Sequence, residues 1–577
     1  MTTTPPTASP GRAVTAADLG ATVICLLTAV AAYAPLLVTD RVIPNIDFQT
    51  HYRWLTQFSA ALAEGTWYPR WMPLANLGLG ELHYSPYPLY YYAASLLVLA
   101  GLEPWQAMKC LAVFSCFLGG AIAYAGLRGY IGRRAALWGA ILFQASPLFL
   151  FLFSHHAALP WQFSFPLAAA MLFLSLPPGR PSRRLALSLT AAGLTLTHVL
   201  MAFMVLLCIG LIWFVRVVRA RIGLWTFAVE WMIPVALGIG VFAFHLVPAV
   251  AAQALLALNP ATDPLYLNWR RSFVFPTFTA AMYGTRWLTI QAILPALYAL
   301  GLATSVVALW MTRARRGDAW RLAASLCAIA ALGFLFGSEL AYPLYSVAKP
   351  FQALQWPYRF AAVAAIGATL ALPLALTSCV DAGVGRNWCR GAGLVVSAAF
   401  LILLVALHAQ LLREGSSLHL SPASLQEEFR QAGHEFATIG PHWRDYVQQG
   451  GLAAHCANAN ARCEPTFSST QKRRWSIDAK ESTQLVVPMF AFAGWTVRVD
   501  GVGIPFSIDP ATGLIAIPVP AGAHRLEVEL TGLPAARVGT LISIISSAAL
   551  VLVLIAGRRR RAFCHRQGAE RPFVRWH

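Results

Sequence analysis

Apolar stretches of about 20 residues recur along the whole of this chain, each long enough to cross a bilayer as an α-helix. A helix satisfies its own backbone hydrogen bonds inside lipid, so such a chain folds as a bundle of membrane helices. A transmembrane β-barrel would need alternating segments of about 10 residues instead. Composition agrees: 58% of the residues are hydrophobic and 12% are charged, against about 25% charged in soluble globular proteins. Mean hydropathy is +0.59. A soluble cytosolic enzyme and a disordered chain are both excluded. The net charge of +19 would suggest nucleic acid on a soluble protein. Here the arginines fall between apolar runs, so no nucleic-acid partner is expected.

The first run, about Gly20 to Thr39, lacks a small-residue cleavage site and reads as a span, not a signal peptide. Further spans start near Trp105, Ala135, Pro160, Leu185, Val199, Thr226, Leu288, Ala319, Phe360, Gly391 and Val538, which makes twelve. The run Pro86 to Leu102 is aromatic-rich, opens with prolines and reads as an interfacial or re-entrant helix. That choice places Arg128, Arg133 and Arg134 on the same side as most of the 43 basic residues, which the positive-inside rule makes cytoplasmic. Both termini are then cytoplasmic. An Arg- and Ala-rich, Lys-poor chain suggests a GC-rich bacterial genome, and with these spans the expected location is the bacterial cytoplasmic (inner) membrane. The expected fold is mainly α, with five parts. Residues 1–19 are a cytoplasmic tail and residues 20–410 a transmembrane domain with outer loops 40–104 and 338–358. Residues 411–537 are an extracytoplasmic domain, 538–557 the last span and 558–577 a basic cytoplasmic tail.

From Arg473 the outer domain alternates apolar and polar residues between Gly and Pro turns, a strand pattern. Val499-Asp500-Gly501 reads as a hairpin turn, and the whole as a small β-sandwich. Cys456 and Cys463 lie in this domain, and an oxidising outer compartment predicts a disulfide between them.

The first outer loop holds the leading functional candidate. Phe48, Tyr52, Leu55 and Leu62 recur at helical spacing, so an amphipathic helix lies at the interface, with Asp47 and His51 four apart on one face. A carboxylate beside an imidazole can be a general base, a metal-ligand pair or a plain hydrogen-bonded pair. Asp47 can equally be an N-cap. Glu81 and His83 sit in a stretch rich in Pro, Gly and aromatics, which is tolerated at membrane depth only against protein or a cavity. His155 and His156 end the third span, and His198 caps the tip between the fifth and sixth; with His51 they can form a metal site or stand as interfacial histidines. The loop 338–358 and the residue after it contribute Glu339, Lys349, Gln355 and Arg359. Lys349 and Arg359, with aromatics between them, suit a lipid phosphate. No G-x-x-x-x-G-K-[ST] loop, G-x-S-x-G elbow or His-Glu-x-x-His is present, which argues against an ATP-driven pump and common hydrolases. No clear inverted repeat supports a solute transporter.

One span, then an acidic residue opening an interfacial helix, then G-x-x-Y-P-R-W (Gly65 to Trp71), G-x-G (Gly78 to Gly80) and a Tyr/Pro-rich helix form a pattern. It resembles the bacterial membrane proteins labelled 6-pyruvoyl-tetrahydropterin synthase-related. Gln355-Trp-Pro-Tyr-Arg359 resembles their Q-[FW]-P-[WY]-R motif. The outer domain, with GWTVRVDG and PAGAHRLEVEL, resembles the end of YfhO-like proteins. Both groups are similar to the GT-C glycosyltransferase superfamily. The resemblance implies hexosyl or pentosyl transfer from a polyprenyl-phosphate-linked donor to a glycan or lipid acceptor in the cell envelope. It places the base or metal ligand at Asp47 and the donor phosphate at Lys349 and Arg359. No cofactor is implied beyond a divalent metal, which the sequence leaves open. After the third span the relatives carry R-G-x-x-E; this chain reads SHHAALPWQ, with His155 and His156 and no carboxylate. A non-catalytic protein that binds, flips or assembles lipid-linked glycans on the same scaffold is the alternative.

Overall fold

The computed structural model describes residues 15–43, 46–75, 78–82, 87–176, 181–253, 266–279, 284–417 and 461–566. The protein is a multi-pass helical membrane protein with a small β domain before its last helix. The twelve stretches expected to span all lie in helical segments, several of them interrupted, as at Tyr33 between Ala16–Ala32 and Ala34–Thr39. Eight helical segments among the described residues are long and apolar enough to cross a membrane by themselves. The longest, Pro104–Ser154, is not one rod: Gly132 leaves the helical region with φ 75 and ψ 170. Glycine reaches that conformation without a Cβ penalty, so the chain reverses where the sequence predicts separate spans.

The helix Pro88–Leu99 has 12 residues. At 1.5 Å per residue it is ~18 Å long, too short for a hydrocarbon core of ~30 Å, which agrees with reading this run as an interfacial or re-entrant helix.

The centre of the bundle is Phe360–Asp381, nearly all of which is buried. It crosses Asp318–Gly337 closely because glycines face backbone on both sides. A Cβ on Gly333 would lie 2.6 Å from the Ala364 nitrogen, and one on Gly367 would lie 2.9 Å from that of Ala330. Small residues let membrane helices approach this way. At one end of the bundle Asp18 contacts Arg128 at 2.7 Å, Arg133 at 3.5 Å and the Tyr124 hydroxyl at 2.9 Å.

The β domain has two antiparallel sheets. One runs in the order Ala461–Ser468, Lys472–Ala479, Gly522–Leu530, Trp495–Val499, Val502–Ile504; the other runs Ser507–Ile508, Leu514–Val519, Thr483–Phe490. The expected hairpin forms at Asp500 (φ 51) and Gly501 (φ 83), with Val499 paired to Val502. The inner faces share one apolar cluster with Trp71, Leu79 and Leu82 of the first loop, so the domain is anchored on that loop. Arg70 donates to Gln471 and to the Leu530 carbonyl, and Glu64 accepts from Thr470. Cys463 is disulfide-bonded. Cys456 lies outside the described residues, as does His83.

Candidate functional site

Asp47 lies within the first turn of the helix Ile46–Ala63. Residue 46 is already helical, so Asp47 is not the N-cap, and the positive end of the helix dipole favours its anion. Phe48, Tyr52, Leu55 and Phe58 pack this helix against the bundle. Asp47 is solvent-accessible, yet its carboxyl sits in a recess. Burial among protein atoms raises its pKa, and the charges of Arg286 and Arg359 pull the other way.

Two loops bring those arginines in. The short helix Thr285–Leu288 carries Arg286 and Trp287, and the turn Pro357–Arg359 carries Tyr358 and Arg359. The strand-like segment from Ser272 to Phe275 ties them together. The Tyr358 amide donates to the Ser272 carbonyl, the Val274 amide to Gly337 and the Phe275 amide to Gln291. Each guanidinium lies over an indole, Arg286 at 4.6 Å from the Trp287 ring and Arg359 at 4.7 Å from Trp356. Stacking holds the planes while leaving N–H groups to meet an anion. Arg359 also donates to the Leu354 carbonyl at 2.6 Å. Gln355, just upstream, has φ 60, a conformation costly for a residue with a Cβ.

His156 sits at the hub of this cluster. Its Nε2 is 3.0 Å from the Tyr358 hydroxyl, and Trp161, Trp287, Trp356 and Tyr358 pack around its ring. Burial, reinforced by the charges of Arg286 and Arg359, lowers its pKa to about 3, so it is neutral at physiological pH. Trp161 is 3% exposed, and its indole N–H has no hydrogen-bond partner among the described residues. His198 stacks between Tyr87 and Trp161. His51 is buried among Trp54, Tyr87, Tyr90 and Tyr91, with Nδ1 2.5 Å from the Tyr91 hydroxyl. Burial lowers its pKa to about 3. His51 orients the hydroxyl of Tyr91, which lies within electrostatic reach of Asp47.

Of the residues singled out in the sequence, Asp47, His51, His156 and Arg359 converge. Others do not. Lys349 is exposed at the start of Lys349–Gln352 and is not among the charges that act on Asp47. Glu339 is spent on structure: it accepts from the amides and hydroxyls of Thr277 and Thr279 and from the Phe278 amide. Burial opposes its charge, but those hydrogen bonds prevail and hold it at about 2. Glu81 is buried in a two-stranded ladder, opposite Met72. His155 bonds Ser154 and stacks on Phe151, away from the arginines. Arg286, Trp287, Trp161 and Tyr91 escaped the sequence reading. The Arg-Trp pair at 286–287, echoing Trp356 and Arg359, is the one local signal that pointed to them.

The donor set is one carboxylate, two guanidinium groups and neutral imidazoles, and among the described residues no three His, Cys, Asp or Glu could hold a metal ion. That set can deprotonate a hydroxyl and stabilise a phosphate anion. No family model matches the chain, and no curated protein matches it. Solved structures with similar backbones include the mycobacterial arabinofuranosyltransferase AftD, at 14% identity and TM-score 0.43. That match covers 76% of this chain and 29% of AftD. The Archaeoglobus fulgidus oligosaccharyltransferase matches at 16% identity and TM-score 0.43, covering 68% of this chain and 56% of that one. ArnT from Cupriavidus metallidurans matches at 18% identity and TM-score 0.37, covering 72% and 76%. The chain thus spans under a third of AftD and about half of the oligosaccharyltransferase.

Proposed function

We propose that this protein is a membrane glycosyltransferase of the GT-C kind, moving a sugar from a polyprenyl-phosphate-type lipid donor to a glycan or lipid acceptor at the outer face. The observation that carries the reading is that the crowded carboxyl of Asp47 lies within electrostatic reach of both Arg286 and Arg359. The Asp47 carboxylate takes the proton of the acceptor hydroxyl. The acceptor oxygen then bonds to the anomeric carbon as the bond from that carbon to the donor phosphate oxygen breaks. The electron pair leaves with the phosphate, whose added charge Arg286 and Arg359 stabilise. Aromatic rings around His156 exclude water, and neutral His156 adds no positive charge that would compete for Asp47. The acid at Asp47 and the Trp-Pro-Tyr-Arg segment, both part of the family resemblance, support the same reading.

One observation favours the alternative of a non-catalytic lipid-glycan carrier: the hub position after the third span holds His156 and not a second acid. The two readings part in one experiment. Purified protein is given a polyprenyl-phosphate-linked sugar with and without an acceptor extract, and free polyprenyl phosphate is measured. Acceptor-dependent release supports transfer, whereas tight donor binding without release supports the carrier.

A further inference from the structure

The strand Lys472–Ala479 opens with three cations in a row. Successive side chains on a strand point to opposite faces. Lys472 and Arg474 lie on one face and pair with Glu527, the first at 3.0 Å and the second at 2.7 Å. Arg473 points to the other face, and among the described residues its side chain makes no hydrogen bond and no ion pair. It borders a cavity of about 210 Å³ lined also by Gly78, Pro465, Phe467, Ser468, Trp475 and Pro488. Burial there lowers the Arg473 pKa, and among the described residues no acidic group is found to restore it. A half-buried cation without a counter-charge is costly, and an anionic ligand removes the cost. Phe467 is 45% exposed and has Arg474 over one face, 5.2 Å from the ring centroid, which leaves the other face open.

We propose that this cavity binds an acidic sugar, a pyranose bearing a carboxylate or a phosphate, with Arg473 pairing the acid and the open face of Phe467 receiving the ring. The volume falls below the ~300–1,000 Å³ of pockets for drug-sized ligands, so it suits one sugar unit. Its floor includes Gly78, in the loop that joins the helix of Asp47 to that of Tyr87 and Tyr91. The Phe490 amide donates to the neighbouring Leu79 carbonyl, so the β domain and the site loop share this seam. An acidic glycan held here would be read by the β domain on the loop that follows the helix of Asp47, whether the recess of Asp47 transfers sugars or only binds them.

The test is a ligand-observed NMR titration of the purified full-length protein with D-glucuronate, glucose 6-phosphate and glucose. At least one acid binds, and glucose binds at least about tenfold more weakly, because a charge-assisted bond is missing. The preferred acid tells carboxylate from phosphate. Arg473→Gln weakens the acid about tenfold, whereas Arg474→Gln and Arg359→Ala leave it within about twofold, separating this cavity from the recess of Asp47. Equal binding of glucose, unchanged binding in Arg473→Gln, or loss in Arg359→Ala overturns the proposal. If Arg473→Gln fails to fold, Phe467→Ala decides in its place: the side chain is exposed, and unchanged acid binding there overturns it as well.

Discussion

Two regions of the helical bundle use the same ingredients, a carboxylate in the first turn of a helix and two arginines, to opposite ends. At one, Asp18 closes a capping box with Thr15 and meets Arg128 and Arg133 directly, with the Tyr124 hydroxyl taking a further lone pair. At the other, Asp47 opens into a recess whose arginines stack on tryptophans. The Asp18 arginines are used up by the acid; those of Asp47 keep N–H groups for an incoming anion. Glu339 repeats the first solution with threonine hydroxyls and amides. A carboxylate satisfied on every side holds a fold together, while one left in a raised, accessible state is available for chemistry.

The largest effect that sharpens this contrast is expected at Arg359. Arg359→Ala removes a stacked, buried charge, and donor binding measured by titration falls about 10²-fold. Next come the structural acids. Asp18→Asn keeps the cap but breaks the ion pairs, so a denaturant melt reports a lower stability while transfer per folded molecule is unchanged. Glu339 has its own signature in pH. Its pKa is lowered from 4.5 to about 2, so its contribution is present above 4.5 and is lost as pH falls toward 2. Glu339→Gln should therefore melt earlier than the native protein at pH 7 and match it more closely near pH 2. Arg286→Ala, less enclosed than Arg359, weakens donor binding about tenfold. Lys349→Ala is the smallest, within about twofold, since an exposed cation gains little from a distant phosphate. A tenfold loss there would move the phosphate out of the recess and erase the contrast.

The local features of this fold were written in the sequence. Hydropathy marked every helix on which a span was expected, and Asp500-Gly501 announced its hairpin, because both depend on neighbours in the chain. The acid Asp47 was legible for the same reason, standing at the start of a periodic helix. Its partners were not. Arg286 and Arg359 come from separate segments that meet through the hydrogen bonds of the 272–275 segment, Trp161 joins them by packing against His156 and Tyr358, and no spacing encodes that meeting. Lys349 and Glu339 looked as suitable as Arg359 because residue type says nothing of which way a loop folds. The structure sends one to solvent and spends the other on Thr277 and Thr279.

The most direct measurement compares single-turnover sugar transfer by native protein, Asp47→Asn and Glu339→Gln, each purified and shown to be folded. Asparagine keeps the size of the side chain and loses its basicity. Asp47→Asn is predicted to slow transfer by about 10²-fold or more with donor binding retained, while Glu339→Gln stays within about threefold of native. A native rate in Asp47→Asn, or a greater loss in Glu339→Gln, would contradict the assignment of Asp47 as the base.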